Sequence, residues 1–270
     1  MLAPGYRRGY ILDPMSLPEI TFPPEVLILI VGVFVLAGLV KGTVGLGLPT
    51  VALAMMTATV GLKEAIALML IPAIATNIFQ GLYGPYFKTI MQRLWLFLLP
   101  VCFGTWAGAG VLAGGDATVL AALLGVVLIF YAGLSLTMLQ VPPPGRHERL
   151  LNPFVGLISG LMTGLTGSFV VPGSLYLQAL NLKREELIQA LGISFTTVSI
   201  ALFVSLSSHG VVTWELSLVS AGAVVPAALG MAIGTKIRHR IPEALFRKVF
   251  FAALLIMGIY ITARSLIFAD

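Results

Sequence analysis

Apolar residues fall in eight runs, at roughly 26–60, 65–83, 94–113, 118–139, 153–180, 187–207, 216–235 and 249–268. A helix needs about 20 residues to cross the hydrocarbon core of a bilayer, and these runs are about that length or longer. Between them stand turn signals: Gly84-Pro85, Gly114-Gly115-Asp116, Pro142-Pro143-Pro144-Gly145, Ser207-Ser208-His209-Gly210 and Ile241-Pro242-Glu243. The pattern predicts an all-α, polytopic membrane protein with about eight full spans plus broken segments.

The first run holds a motif that returns 122 positions later. Gly38, Gly42 and Gly45 in the first copy match Gly160, Gly164 and Gly167 in the second, a proline closes each copy (Pro49 and Pro172), and Gly47 is an extra glycine in the first. A spacing of 120 then pairs Pro72 with Gly192, Thr76 with Thr196 and Asn77 with Thr197. A spacing of 126 pairs Pro100, Gly104 and Gly108 with Pro226, Gly230 and Gly234, small-residue patterns that permit close helix packing. Two homologous repeats follow, 26–140 and 153–270, joined by a linker at 141–152 and preceded by an extension at 1–25, all in one membrane domain.

Positive charge tests how each repeat begins. If every run is a single crossing, loop lysines and arginines divide seven against eight, which sets no orientation. If runs 26–60 and 153–180 each enter and return at their glycines, Arg7, Arg8, Lys63 and Arg264 face eleven on the other side. That asymmetry is expected of a real topology with the richer side cytoplasmic. It makes the repeats inverted and puts both termini outside the cytoplasm of an inner-membrane protein. Length agrees: the 35 residues of the first run would extend about 52 Å as one helix.

Composition bears this out, with 58% hydrophobic and 10% charged residues and a mean hydropathy of +1.02. Soluble proteins carry about 25% charged residues. The net charge of +5 lies in short loops, where it orients the chain, so nucleic acid is not an expected partner. Cys102 is alone, so no internal disulfide can form. Residues 1–25 lack the apolar core of a cleaved signal peptide.

A helix broken at membrane depth exposes backbone amides, which survive only against protein or a wet cavity. The half-helix after each break would begin near Pro49 or Pro172 and present an electropositive N-terminus. Candidate anion-binding residues are therefore Gly42, Gly45, Gly47, Pro49, Gly164 and Gly167, with Thr43, Thr166 and Ser168 as hydroxyl donors. Tight helix packing is the competing reading of these glycines. Lys41 is the only basic residue well inside an apolar run, and its equivalent is Thr163. It reads either as a counter-charge for an anion or as a stem snorkelling to an interface. Thr76, Asn77, Thr196 and Thr197 could line the same path or only bond between helices. No Asp or Glu lies deep in a span, since Glu25, Glu64, Glu185, Glu186 and Glu215 stand at segment entrances. His147, His209 and His239 have no metal-ligand spacing, so no metal or other cofactor is expected. A membrane enzyme would have only the loop histidines and Glu215 to draw on.

The glycine motif, its echo and the two Pro-x3-Gly-x3-Gly helices resemble the TauE/SafE sulfite exporters, also called toluene sulfonate uptake permeases. The resemblance covers about residues 28 to 266. It implies an inner-membrane carrier, not an enzyme, for a small sulfur-containing anion such as sulfite, sulfoacetate or another organosulfonate. By motif position it carries over Gly42, Gly45, Gly47, Pro49, Gly164, Gly167 and Pro172. The chain departs from the family's denser glycine run at Leu46, Leu48, Ser168 and Phe169, and Lys41 is not part of that pattern. Export by alternating access is expected, one repeat rocking against the other within the lipid bilayer. Alternatives are an anion channel, or ion-coupled uptake with backbone carbonyls holding a coupling cation. The sequence leaves the formation of a homo-oligomer open.

Overall fold

The structure is a computed structural model and describes residues 22–137, 141–238 and 242–267. Residues 1–21 of the expected extension 1–25, with Arg7 and Arg8, lie outside the described residues, as do His239 and Arg240. In chain order the helices are α1 (Pro24–Val44), α2 (Leu48–Val60), α3 (Leu62–Leu82), α4 (Phe87–Gly114), α5 (Ala117–Leu136), α6 (Glu148–Thr166), α7 (Leu175–Ala179), α8 (Arg184–Ser208), α9 (Trp214–Gly222), α10 (Val224–Ile237) and α11 (Glu243–Ile267). Among the described residues seven stretches are long and apolar enough to cross a membrane: α1, α3, α4, α5, α8, α9 with α10, and α11. The remaining expected run, 153–180, gives no such stretch: α6 ends at Thr166 after 19 residues, capped by Gly167. It also starts at Glu148, inside the expected linker.

Local chemistry sets the ends. Gly45 (φ 84°) and Gly167 (φ 74°) adopt the left-handed conformation that stops α1 and α6, each donating its N–H to the carbonyl four residues back at 2.7 Å. Helix α2 then restarts with Pro49 in its first turn, where a missing N–H costs nothing. The second break is longer than the first. Val171 is extended (φ −126°, ψ 128°), and a wide helical turn over Val170–Ser174 leads into α7. Asp116 caps α5 by accepting from the Thr118 N–H at 2.7 Å.

Helix directions follow from which residues meet. Gly38 lies against Ala227 and Gly42 against Met231 and Thr235, so α1 and α10 run parallel. Gly156, Gly160 and Gly164 lie against Phe97, Val101 and Thr105, so α4 and α6 are also parallel. Gly81 meets Gly192 and Gly84 meets the Gln189 side chain, which makes α3 and α8 antiparallel. Gly125 meets Thr262, and Gly258 meets Ile129, so α5 and α11 are antiparallel too. Ser205 Oγ donates to Trp106 O at 3.3 Å and His209 lies beside Gly110, so α8 is parallel to α4.

Helices equivalent in the two repeats, α3 with α8 and α5 with α11, thus meet head to tail. That is the signature of inverted repeats. Short connection 209–213 turns α8 back into α9 and α10, which makes α1, α10 and α3 all parallel. Since α2 joins α1 to α3, it must run back: the first break is a re-entrant hairpin. The same holds for the segment between the parallel helices α6 and α8. At about 1.5 Å per residue, α1 rises about 31 Å and α2 returns only about 20 Å.

One end of the bundle gathers the start of α1, the starts of α3 and α5, and the end of α11, where Arg264 donates to Ala58 O and Lys63 donates to Ala113 O at 2.9 Å. The other end carries Lys88, Arg93, Arg146, Arg149, Lys183, Arg184, Lys236, Arg238, Arg247 and Lys248. The grouping of described charges is the one expected for two hairpins.

Candidate functional site

Lys41 sits in the last turn of α1, 4% exposed, where its charge also faces the carbonyl end of that helix. Its ammonium does not snorkel. It donates to Thr76 Oγ1 at 3.2 Å and to Asn77 Oδ1, both on α3. An ammonium has three donors, and these contacts use two. Asn77 is 2% exposed, and its Nδ2 has no partner among the described residues. A buried amide without a partner costs about 1–3 kcal/mol. The cluster therefore holds two donor groups in search of an acceptor. On α8, Thr196 and Thr197 lie level with Asn77 and Thr76 when the register of Gly81 against Gly192 is carried along the pair. Their hydroxyls donate to Gly192 O at 2.7 Å and Ile193 O at 2.9 Å, leaving only lone pairs to offer.

The remaining predicted residues separate by role. Gly42 and Gly164 pack helix against helix. A Cβ at Gly164 would come within 2.6 Å of Gly108 Cα, and one at Gly42 within 2.9 Å of Thr235 N, so both positions let helix backbones touch. Gly45, Gly47 and Gly167 form the turns, with Pro49 starting α2. Thr43 donates to Val40 O at 2.8 Å, Thr163 to Ser159 O at 2.6 Å and Thr166 to Met162 O at 2.6 Å, each back onto its own helix. Ser168 is 3% exposed, and its Oγ has no partner among the described residues. Gly167 at the second tip is wedged against Ile66 of α3 and Leu53 of α2.

A cavity of about 190 Å³, room for several waters, opens at the basic end. It reaches Gly47 and Thr50 at the first tip and Val170, Ser174 and Gln178 at the second segment. Its walls include Tyr131, Phe195, Phe250 and Phe251, with Arg184 and Arg247 also lining it. Gln178 Nε2 donates to Ser174 Oγ at 3.1 Å inside it. A second cavity, about 370 Å³, lies at the opposite end between Thr57–Leu62, the start of α5 and the end of α11. It does not reach either glycine turn. Lys41 lines neither cavity.

Sequence reasoning missed Thr50, Ser174 and the two cavity arginines. Thr50 carried a usable signal, since it directly follows Pro49 in the first turn of a predicted half-helix. Ser174 had none.

Residues 30–261 match the protein-family model described as "Sulfite exporter TauE/SafE". No curated protein and no solved structure matches the chain.

Proposed function

Because the chain belongs to the sulfite exporter TauE/SafE family of membrane transporters, we propose that it exports a small sulfur-containing anion, such as sulfite or an organosulfonate, across the inner membrane by alternating access. The observation that carries this reading is the buried Lys41–Asn77 pair, with an ammonium N–H and the Asn77 Nδ2 left without acceptors among the described residues. An oxyanion is acceptor-only and fits such a donor set. No described Asp or Glu lines the cavity that reaches the first tip.

Lys41 is closed off from both cavities, so an anion meets it only after the helices move. That is the behaviour of a carrier with a buried site, and it disfavours an open pore. The cavity at the basic end reaches the hairpin turn while the opposite one stops short, which supports a resting state open to the basic end. With that end cytoplasmic, moving one negative charge outward gains about 2.3 kcal/mol per 100 mV of inside-negative potential.

The test is flux of radiolabelled sulfite and sulfonates in proteoliposomes, with the potential set to either sign. Saturable flux that accelerates when the potential draws the anion is expected. Non-saturating conductance in planar bilayers would replace the carrier by a channel, and a strict requirement for a cation gradient would replace export by coupled uptake.

A further inference from the structure

We infer that the cavity at the basic end is a separate anion-loading site, in which Arg184 and Arg247 capture the anion and Thr50 with the start of α2 receives it. The inference rests on the transport reading for the identity of the anion, but its geometry is independent of Lys41.

Every charged residue lining this cavity is an arginine. Arg184 comes from the first turn of α8 and Arg247 from the first turns of α11, so the two guanidiniums approach from different helices. Neither has a hydrogen bond or ion pair among the described residues. Charges brought together in a concave, partly apolar site focus their field and raise the local concentration of an anion. A guanidinium offers a planar fork that suits an oxyanion.

The inner end provides an independent observation. Thr50 is 5% exposed and lines the cavity. It stands in the first turn of the 13-residue helix α2. There the Val51 N–H is the first to reach a backbone carbonyl, Gly47 O at 2.9 Å. The preceding N–H groups of Leu48 and Thr50 are left for a ligand, at the positive end of the helix dipole. An anion moving inward thus leaves two guanidiniums for a hydroxyl and a helix N-terminus. The ammonium of Lys41 lies only six residues before Gly47, behind the turn.

A loading site sets half-saturation chiefly from the side it faces. Sulfite flux is measured in right-side-out and inside-out vesicles of zwitterionic lipid, which removes anionic headgroups as competing ligands. For the Arg184→Gln/Arg247→Gln variant, KM for loading from the basic end should rise ten-fold or more with its Vmax within two-fold. Loading from the opposite end should keep its KM and lose Vmax, since a passive carrier has one Vmax/KM ratio for both directions at zero potential. Arg184→Lys/Arg247→Lys should recover part of the loss, and Thr50→Val should raise the same KM several-fold. An unchanged KM, or an equal rise from both ends, overturns the site. Calorimetric titration of sulfite into the purified protein separates this inference from the transport reading. If the wild-type protein carries no sulfur anion but binds sulfite ten-fold more tightly than the double glutamine variant, the transport reading fails and the loading site stands. Equal binding by both proteins, or binding by neither, refutes the loading site.

Discussion

Replacing Lys41 by Met removes the ammonium and keeps most of the side-chain volume. Three quantities decide the outcome. A lysine at membrane depth costs about 2.5–3.5 kcal/mol by insertion scales, and the substitution relieves that cost. Against this, Asn77 loses the partner of its Oδ1 while its Nδ2 is already unpaired, and a buried unsatisfied group costs about 1–3 kcal/mol. Thr76 keeps its bond to Pro72 O at 2.8 Å and adds nothing to the loss. The two opposing amounts nearly cancel, so stability should change by less than about 2 kcal/mol, which is a shift in Tm of under about 8 °C. Transport should suffer far more. A hydrogen bond from a charged donor is worth about 1.5–3 kcal/mol. At 1.36 kcal/mol per decade this means a loss of roughly ten- to 150-fold in kcat/KM. Thermal unfolding in detergent and sulfite flux in proteoliposomes, made from the same preparation, read both numbers. Wild-type flux in Lys41→Met refutes the counter-charge role. A collapse of Tm with flux lost in proportion would make Lys41 a structural strut between α1 and α3.

The glycines divide by what each can accept. Gly45 has open space but a left-handed backbone, so Asn should be tolerated better than Ala there, Ala costing about 1–2 kcal/mol in thermal unfolding. At Gly164, which touches backbone on α4, Ala should cost about 1–3 kcal/mol and Asn more, the reverse order. With Cys102 replaced, single cysteines at Asp116 and Arg146 should react with impermeant reagent from opposite sides of the membrane, and labelling from one side at both places contradicts the topology. A double-mutant cycle on Arg93 and Glu148, whose two bonds are both 2.7 Å, should give a coupling of about 1 kcal/mol between α4 and α6.

The breaks were legible because a left-handed turn in an apolar run admits few residues besides glycine, and the duplication repeated the signal at Gly45 and Gly167. Hairpin and inversion were legible through charge, since most of the described loop lysines and arginines had to gather at one end, with Lys63 and Arg264 at the other. The roles within the motif were not. Gly42 and Gly45 look alike in sequence, yet one touches α10 and the other turns the chain, a difference set by a helix nearly 200 residues away. Lys41, Thr76 and Asn77 each drew attention as polar groups at depth, but nothing in their spacing said that the Lys41 side chain at the end of α1 reaches α3. Arg184 and Arg247 read only as orienting loop charges, because a shared cavity between helix starts 59 residues apart leaves no local pattern.

The packing also bears on which parts move. Rocking one repeat against the other is the simple expectation for inverted repeats, but the closest backbone contacts here join the repeats. Helix α1 of the first is locked by Gly38 and Gly42 into α10 of the second, and α6 of the second by Gly160 and Gly164 into α4 of the first. Each partner helix returns the favour with its own glycines, Gly230 and Gly234 or Gly104 and Gly108. Interdigitated backbones have no side chains to re-rotate, so sliding them means steric overlap along a whole interface, whereas side-chain interfaces can repack. The rigid units that fit this packing are α1 with α10 and α4 with α6, each assembled from both repeats. The α3–α8 pair lies between the equivalent halves, and Lys41 reaches across to it. Cysteine cross-links tying α1 to α10 near Leu39 and Met231, or α4 to α6 near Val101 and Leu157, should therefore leave flux within about two-fold of the uncross-linked protein, given about 0.4 kcal/mol per factor of two. If the repeats rock as whole bodies, either cross-link alone stops transport, and reducing it restores the rate.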